Sequence, residues 1–561
     1  MKKKRFKLKL SRIFSLLIVI MLIGLLITNK NLLKNEDIKA YVASNQSTVS
    51  IYDKELNEVD QIIRGSKIQY LKSSKAIKNK TDVFYRIKGS NNYINKKNIV
   101  FNKQDIVQEE KVYVRTPYNL LSKVKDGKIL TLVTQGDELI VTGYDEIDKN
   151  GVVNMYKVTK DDITGYIYSK YTKLTKEEAV STEEIKDILA IHSKREVTNG
   201  GNAANLDYYP VDKVKFEDNV MPEVVQALYL NGGTFTIKNV DKYIEFAKTT
   251  NINAFVVDIK DNAIPAYASN IYKKQSPTSY EEAKNSFQEY QAAIKKIKDN
   301  GFYVIGRITV FKDKYYAEDN PSSAIADTRT GKPFYYADTY WPSVYNRDVW
   351  KFNVDLAKEA VQEMGFNEIQ FDYVRFPDRT KSYETQGIMD LKNTYNEDKA
   401  QAVQRFLRYA VDELHKLNVY VSADVFGESA HLYVTAYGQY WAAISNVVDV
   451  ISAMPYPDHF NAYDYGLTQI AWTVPYNLLY LWSKGYASVR QSEIKTPAIA
   501  RTWIQCYNTI REPYIVYDAS KVSEQIKGLY EGGLTGGYMT WLSSSELSKY
   551  QSQKAAYSKE Y

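Results

Sequence analysis

One apolar, strand-like stretch, NEIQFDYVRFP at residues 367–377, carries polar side chains that a buried strand does not need. Successive side chains of a strand point to opposite faces, so Gln370 and Asp372 share one face, and Arg375 follows just beyond. Burying a carboxylate is costly unless it is paired or functional. The stretch therefore predicts either an ion pair or a catalytic carboxylate.

Polar side chains also stand near the ends of other strand-like stretches. Five of the predicted strands carry them on the face expected to point inward: Asp258 and Lys260, Arg307, Gln370 and Asp372, Ser422 and Asp424, and Arg501 and Gln505. Buried ion pairs can often be replaced by apolar side chains without loss of stability. Polar ends on five strands therefore favour a functional site over a purely structural one.

Two carboxylates flanked by arginines suit glycoside hydrolysis. That reaction needs one ionised carboxylate, as nucleophile or base, and one protonated carboxyl group, as acid. We predict that Asp372, held by Arg307 or Arg375, is ionised and that Asp424 is the acid. Adjacent strands lie ~4.8 Å apart, so the pair is expected at the ~5–5.5 Å separation of a retaining enzyme.

These residues need a scaffold that brings strand ends together. From residue 216 onward, apolar runs alternate with amphipathic helical stretches, and Gly301 and Gly365 stand where helices should end. Eight strands are predicted, at 224–230, 252–260, 302–311, 367–374, 419–426, 447–456, 496–505 and 536–542. The pattern predicts the α/β class and a (β/α)8 TIM barrel over residues 216–555, with the site at the C-terminal strand ends. The helix around 472–485 has the weakest pattern.

Several runs carry a resemblance: VVDIKD (256–261), GRITVFKD (306–313), NEIQFDYVRFP (367–377), SADVFG (422–427) and SAMPYPDHF (452–460). Together they resemble a family of bacterial glycoside hydrolases whose TIM barrel is related to the α-amylase superfamily. The similarity covers residues 216–550, and IQFDYVRFP is its most specific part. The resemblance implies that Asp372 is the strand-four nucleophile and that Asp424 or Glu428 is the strand-five acid.

The sequence departs from that superfamily in two places. True α-amylases carry arginine two residues before the nucleophile, where this chain has Gln370, and a His-Asp pair after strand seven, where it has Arg501 and Gln505. The rim residues and nearby aromatic side chains are predicted to bind the sugar: Asp258, Lys260, Arg307, Gln370, Arg375, Tyr456, His459, Arg501, Gln505 and Trp541. Trp341 and Trp503 are further candidates for stacking on a sugar ring, although a single aromatic side chain is more often part of a core.

The chain begins with a basic tip (residues 1–12) that runs into an apolar segment (13–29). This order is typical of a signal-anchor or of a cleaved signal peptide, and both place the rest of the chain outside the membrane. We therefore expect a cell-surface protein, anchored in the membrane by this segment or else secreted.

Two small β-rich segments follow, at 46–103 and 110–174. Gly65 lies twenty residues before Tyr85, and Gly136 lies twenty residues before Tyr156, which indicates one unit occurring twice. Both segments resemble bacterial SH3-like barrels. That resemblance implies binding of peptidoglycan, and the alternative is a pair of spacers without a ligand. Residues 175–215 are predicted as a linker.

Composition and charge exclude several classes of function. The 74 Lys and Arg exceed the 67 Asp and Glu by seven, and the seven basic residues of the tip account for the excess, so no nucleic-acid partner is predicted. The four histidines lack the His-x-x-x-His spacing of a metal-dependent deacetylase, and we predict no metal and no other cofactor. The single cysteine, Cys506, is predicted to be a core residue.

These observations predict a glycoside hydrolase acting on a cell-surface or extracellular polysaccharide. A non-catalytic glycan-binding protein of the cell wall, which kept the barrel and lost turnover, is the alternative. The separation of the inward carboxylates distinguishes the two.

Overall fold

A computed structural model describes residues 37–71, 76–79 and 81–561. The basic tip and the apolar segment 13–29, predicted as an anchor or signal, lie outside the described residues. Within the described part of the chain, no helix is both long and apolar enough to cross a membrane. The chain divides into two compact units, one ending at Val180 and the other running from Ser181 to Tyr561.

The N-terminal unit consists of two antiparallel sheets. The first contains the strands Asp37–Val42, Thr48–Tyr52, Glu58–Ile63, Lys67–Leu71, Ile77–Lys78, Val83–Ile87, Tyr93–Asn95 and Ile99–Val100. The second contains Lys111–Val114, Tyr118–Leu121, Ile129–Val133, Glu138–Tyr144, Met155–Lys160, Ile163–Tyr168 and Thr172–Lys173. With the short strand Ile77–Lys78 set aside, both sheets have the strand order 3-2-6-5-4-1-7. One topology therefore occurs twice.

The repeated spacing in the sequence has a structural cause. Gly65 and Gly136 both have φ of +84° and stand at the same turn of their sheets, just before the fourth strand. A left-handed backbone is costly for residues with a Cβ, so this turn favours glycine in each copy. Each copy then ends alike, with a 3-10 turn, Lys96–Asn98 or Ser169–Tyr171, before its last strand.

The C-terminal unit contains a barrel of parallel strands. In chain order these are β1 (Val225–Leu230), β2 (Ala254–Asp261), β3 (Tyr303–Thr309), β4 (Glu368–Asp372), β5 (Tyr420–Phe426), β6 (Val450–Met454), β7 in two pieces (Ile499–Ala500 and Thr502–Gln505), and β8 (Gly537–Trp541). Strands β1 to β6 pair in sequence, and β1 also pairs with β8. The first piece of β7 pairs with β6 and the second with β8, which closes the ring. The predicted α/β class and parallel-strand barrel are confirmed.

Helices cover the outside of this barrel. One helix is numbered after each strand, so that α1 follows β1 and α8 follows β8. The helices are α1 (Val240–Ala247), α2 (Phe287–Asp299), α3 (Arg347–Met364), α4 (Lys399–His415), α5 (Trp441–Ser445), α6 (Pro475–Trp482), α7 (Ala519–Glu531) and α8 (Leu547–Ser552). Shorter helices of this unit are Lys186–His192, Thr234–Lys238, Asn270–Gln275, Pro277–Glu281, Lys314–Asp319, Lys381–Thr385, Ser488–Ser492 and Lys554–Tyr557, and the N-terminal unit ends with the helix Lys176–Val180. Helix α6 continues through one π-helical turn, 483–487, which is why the helical pattern around 472–485 was weak.

Residues 181–215, within the segment predicted as a linker, lie against the barrel. Tyr208 is fully buried, and Asp207 Oδ2 lies 2.8 Å from Arg408 Nη2 of α4. The Lys213 ammonium donates to three backbone carbonyls, those of Ser445, Asn446 and Val448, at 2.7–3.1 Å. These carbonyls stand at the end of α5, so Lys213 satisfies acceptors that have no partner in the helix.

Inward side chains of the barrel occupy successive levels. Near the N-terminal strand ends, Arg501 Nη1 lies 2.8 Å from Glu368 Oε1, and both side chains are fully buried. One level higher, Gln370 donates to Ser452 Oγ at 3.3 Å. Asp372 stands at the C-terminal end of β4, four residues beyond Glu368, which is about 13 Å at ~3.3 Å per residue. The Glu368–Arg501 pair therefore belongs to the base of the barrel.

We expect this pair to act on stability alone. Replacing Arg501 by Met leaves Glu368 buried without its cation, and breaking a buried pair in this way typically costs about 3–5 kcal/mol. Urea unfolding should show a loss of that size. Lys295→Met, which removes an exposed pair with Asp299, is the control and should cost less than about 1 kcal/mol. Unchanged stability in Arg501→Met would contradict this role.

Candidate active site

Arg307 stands at the centre of the polar cluster near the C-terminal strand ends. Its Nη2 lies 2.6 Å from Asp372 Oδ2, its Nη1 lies 2.7 Å from Asp258 Oδ1, and its Nε also donates to Asp372 Oδ2 at 3.1 Å. Only 2% of its surface is exposed. A guanidinium presents its donors in a fixed fork. One buried cation on β3 therefore orients carboxylates from β2 and β4, the strands on either side of it.

Asp372 and Asp424 lie close together beside this cation. Arg307 Nε is 3.1 Å from Asp372 Oδ2 and 3.9 Å from Asp424 Oδ2, so the two oxygens are separated by no more than the sum of these distances. That limit on one pair of oxygens is compatible with the ~5–5.5 Å separation of the carboxyl groups in retaining glycosidases. The two carboxyl groups are therefore at a separation suited to joint chemistry.

The two carboxyl groups have different surroundings. Asp372 accepts two hydrogen bonds from Arg307, whereas Asp424 Oδ1 accepts one from the Trp503 indole at 2.8 Å. Asp424 Oδ2 is buried and has no hydrogen-bond partner among the described residues. Burial, followed by the negative charge of Asp372, raises the pKa of Asp424 well above its usual range. Asp424 therefore holds its proton to a higher pH than an exposed aspartate does.

Asp258 is a second buried carboxyl group with a perturbed pKa. It accepts hydrogen bonds from Arg307 and, at 2.5 Å, from the Tyr229 hydroxyl. Burial raises the pKa of Asp258 to about 7, against the opposing effect of Arg307. The cluster thus combines one fixed cation with carboxyl groups of unequal proton affinity.

A cavity of about 1080 Å³ opens above this cluster. Seven of the predicted site residues line it: Arg307, Asp372, Arg375, Glu428, Tyr456, His459 and Trp541. The rings of Tyr456 and Trp541 are nearly parallel, with an angle of 19° between their planes, and Trp503 meets Trp541 edge-on at 5.6 Å. Flat aromatic faces beside carboxylates can stack on the apolar faces of sugar rings.

Glu428 also lines the cavity, in the 3-10 turn Gly427–Ala430 that follows β5. It is exposed, and its two carboxylate oxygens accept hydrogen bonds from the hydroxyls of Tyr433 at 3.2 Å and Tyr437 at 2.8 Å. Tyr433 also contacts His431 Nδ1, whose Nε2 lies 3.0 Å from the Tyr465 hydroxyl. These side chains all line the cavity, so Glu428 is a carboxylate held in a fixed position and open to a ligand.

Several predicted residues lie away from the cavity surface. Asp258 and Asp424 contact Arg307 beneath its floor, whereas Gln370 and Arg501 lie deeper inside the barrel. Gln505 accepts a hydrogen bond from the backbone N–H of Asp458 at 3.2 Å and thereby holds the loop after β6. Arg501, Gln370 and Gln505 therefore do not line the cavity.

Lys260 does not share the face of Asp258, contrary to the alternation of a regular strand. The pairing of β2 with β3 shifts by one residue between Asp258 and Lys260. Lys260 is instead buried against α3, where its ammonium lies 2.6 Å from Asp313 Oδ2 and 2.8 Å from Asn353 Oδ1. This bulge turns a residue predicted to bind substrate into part of a structural ion pair.

The sequence prediction missed Asp458 in the run PYPDHF. Its carboxylate lines the cavity and accepts hydrogen bonds from the Tyr507 hydroxyl at 2.9 Å and the Ile510 backbone N–H at 3.3 Å. It therefore ties the loop after β6 to the loop after β7. The sequence signal that could have identified Asp458 is its position two residues after Tyr456, an aromatic residue just beyond β6.

The comparison with known families decides the class of the protein. Residues 227–547, more than half of the chain, match the sequence model of a family described as "Putative glycosyl hydrolase domain". The chain belongs to this glycosyl hydrolase family. The match spans the barrel from β1 to α8, so the cavity and its carboxyl groups lie within the glycosyl hydrolase domain. Among curated proteins, none matches the chain.

Solved structures that are similar to part of this chain have low structural similarity scores. A hypothetical protein from Ruminiclostridium thermocellum ATCC 27405 is 33% identical, with 35% of this chain and 97% of that chain covered and a TM-score of 0.30. The PgaB (BpsB) glycoside hydrolase domain from Bordetella bronchiseptica is 13% identical, with 60% and 100% covered and a TM-score of 0.42. A chitobiase from Flavobacterium johnsoniae is 10% identical, with 60% and 47% covered and a TM-score of 0.39.

Asp258 should make the free energy of unfolding of the glycosyl hydrolase domain depend on pH. Its carboxyl group stays protonated in the folded chain up to a pKa of about 7, whereas in an unfolded chain it ionises near pH 4. Between these values only the unfolded chain releases the proton, so rising pH removes about 4 kcal/mol of stability, and the loss is complete above pH 7.

The variant Asp258→Asn lacks this proton. Its free energy of unfolding minus that of the wild type should therefore rise from pH 4 to pH 7 and then stay constant, as measured by denaturant unfolding across that range. Asp241→Asn, which alters an exposed carboxylate, is the matched control, and the change with pH should be larger for Asp258→Asn than for this variant. A flat difference for Asp258→Asn would contradict the raised pKa.

Proposed function

We propose that this chain hydrolyses a polysaccharide through a carboxyl pair, with Asp372 as nucleophile and retention of configuration at the anomeric carbon. The observation that carries the proposal is that Asp372 and Asp424 lie beside one buried cation, Arg307, in different surroundings. Asp372 receives two charge-assisted hydrogen bonds from Arg307, whereas burial and the charge of Asp372 raise the pKa of Asp424. Different environments of this kind let one carboxyl group act as nucleophile and the other as acid.

Asp372 is placed to attack a sugar bound in the cavity. It lines the cavity and is oriented at Oδ2 by the guanidinium of Arg307, whereas its other oxygen, Oδ1, accepts a hydrogen bond from the backbone N–H of Tyr373 at 2.5 Å. The next residue, Tyr373, has a left-handed backbone with φ of 50°. Such a conformation is costly for a residue with a Cβ and recurs at functional sites. It ends β4 directly after the carboxylate.

Two side chains of the β5 segment compete for the role of proton donor. Asp424 has the raised pKa and the proximity to Asp372 that a retaining pair needs, but its surface is fully buried. Glu428 is exposed and lines the same cavity as Asp372. We assign the donor role to Asp424 and make Glu428 the alternative, because the position of Asp424 beside the cation that holds Asp372 and its raised pKa both favour it.

The cavity supports a chain of sugars as the substrate. Its volume of about 1080 Å³ is at the upper end of the range of ~300–1,000 Å³ typical of small-molecule sites. Exposed aromatic side chains continue beyond it: Tyr463 is 61% exposed and follows β6, and Tyr514 is 69% exposed and follows β7. Extended aromatic surfaces of this kind suit a polymer better than a disaccharide.

We further propose that the protein works at the cell surface, anchored by residues 13–29 or secreted, and that its two N-terminal repeats are SH3-like modules that bind peptidoglycan. The basic tip ahead of the apolar segment supports the orientation. The strand order shared by the two sheets supports a duplicated module. Binding of the repeats to the wall would hold the hydrolase near an extracellular polysaccharide.

Three variants test the catalytic assignment after a screen of soluble exopolysaccharides and wall glycans has supplied a substrate. Asp372→Asn should abolish turnover in a chain that still folds and binds sugar, although the loss of its charge beside the buried Arg307 should lower the melting temperature. Asp424→Asn should lose about 10²–10⁴ in rate on that glycan, and far less on 4-nitrophenyl glycosides, whose leaving group needs no protonation. Glu428→Gln should retain most of the activity on both, and NMR of the first product should show retained configuration.

Other outcomes would redistribute or remove these roles. A leaving-group dependence in Glu428→Gln and none in Asp424→Asn would make Glu428 the donor. Turnover that survives Asp372→Asn would contradict the hydrolase mechanism and favour a glycan-binding protein.

The proposed location has its own test. Protease added to intact cells should degrade the C-terminal unit, because all the excess positive charge precedes the apolar segment and keeps only the tip inside. A cytoplasmic protein followed in the same samples is the control and should stay intact. Protection of the C-terminal unit until the cells are lysed would contradict export.

A further inference from the structure

Two cations, Arg375 and Lys312, lie in the loops after β4 and β3, and one of them, Arg375, lines the cavity. Arg375 follows β4, lines the cavity and is only 6% exposed. Lys312 follows β3 and is half-buried. Both cations pack on one ring, that of Tyr373, at 5.0 Å for the Arg375 guanidinium and 4.9 Å for the Lys312 ammonium. Two like charges are thus held against the same aromatic side chain.

Aromatic side chains surround the Arg375 guanidinium. Besides Tyr373, the rings of Trp341 at 5.3 Å, Phe426 at 4.6 Å and Tyr437 at 5.7 Å lie around it. Such contacts stabilise a cation and fix its orientation, but they supply no hydrogen-bond acceptor in the guanidinium plane. The cage therefore positions Arg375 without occupying its donors.

The hydrogen-bond donors of these cations are largely unused. Arg375 Nη1 donates to its neighbour's carbonyl, that of Phe376, and lies 3.5 Å from Asp378, whose side chain is 36% exposed. Within the described residues, Nε and Nη2 of Arg375 and Nζ of Lys312 make no hydrogen bond and no ion pair. A guanidinium fully committed to carboxylates looks different: Arg307 contacts Asp372 and Asp258 at 2.6 and 2.7 Å. Arg375 keeps a bidentate edge free for a ligand.

From this arrangement we infer that the substrate glycan is anionic and that Arg375, supported by Lys312, binds an oxyanion on the sugar. The inference rests on the proposed function only in taking the cavity as the substrate site. A planar guanidinium matches carboxylate and phosphate oxygens in pairs, so a uronic acid and a sugar phosphate share the recognised chemistry. Arg375 would then be a specificity-determining residue beside the carboxyl pair.

Calorimetric titration of the full chain tests this without any turnover. D-glucuronate should bind at least tenfold more tightly than D-glucose, and the preference should shrink as the salt concentration rises. Arg375→Ala should abolish the preference, Lys312→Ala should reduce it severalfold, and Arg375→Lys should keep part of it. D-glucose 6-phosphate serves as the second oxyanion: tighter binding than glucuronate indicates a phosphorylated glycan, and weaker binding a carboxylated one.

A control variant separates this effect from a general loss of positive charge. Lys314→Ala removes a cation two residues beyond Lys312 that packs on Tyr315. It should keep the preference for glucuronate within about twofold of the wild type. Equal affinities for glucuronate and glucose, or an unchanged preference in Arg375→Ala, would overturn the inference.

The inference and the proposed function fail in different ways. Hydrolysis of a neutral glycan with KM unchanged in Arg375→Ala would overturn the inference and leave the proposed function standing. Binding of glucuronate through Arg375, with no glycan hydrolysed, would contradict the proposed function and leave the anion site standing.

Discussion

The buried guanidinium of Arg307 is the constraint on which the rest of the active site depends. It has to satisfy its own charge away from water, and it does so with carboxyl groups from β2 and β4. This requirement fixes where Asp372 points and brings Asp424 of β5 within 4 Å of the same cation. Because Arg307 cannot be left unpaired without a large desolvation cost, the carboxyl groups stay close to one another despite their mutual repulsion.

Much of this cluster follows from local sequence because the alternation of a strand is a local property. The parity of residues in β2, β3, β4 and β5 was enough to predict that Asp258, Arg307, Asp372 and Asp424 share the inward face. The position of Lys260 differs from the predicted one for a reason outside its own strand, because the one-residue shift arises from pairing with β3. A strand's pattern does not contain the register of its neighbour, so the bulge could not be predicted from the sequence.

Two further properties could not be predicted from the sequence: the depth of a residue along the barrel axis and the path of a loop. The parity that predicted an inward Arg501 carries no information on how far along the barrel axis it lies, and its partner Glu368 begins β4 where Asp372 ends it. The contacts of Glu428 with Tyr433 and Tyr437 depend on the path of the loop after β5. Asp458 belongs to the same class, because its role in joining two loops depends on where Tyr507 and Ile510 return to the rim.

The interruption of β7 at Arg501 has a mechanical consequence for the mouth of the barrel. Below the interruption β7 pairs with β6, and above it β7 pairs with β8, so no strand pairing joins β6 to the upper piece of β7 among the described residues. There the rim is held by side-chain hydrogen bonds of Gln505 and Asp458. Each such bond contributes only about 1 kcal/mol, whereas separating any other neighbouring strands breaks a backbone ladder. The barrel therefore has one compliant seam, and the width of the cleft is adjustable along it at little cost to the fold.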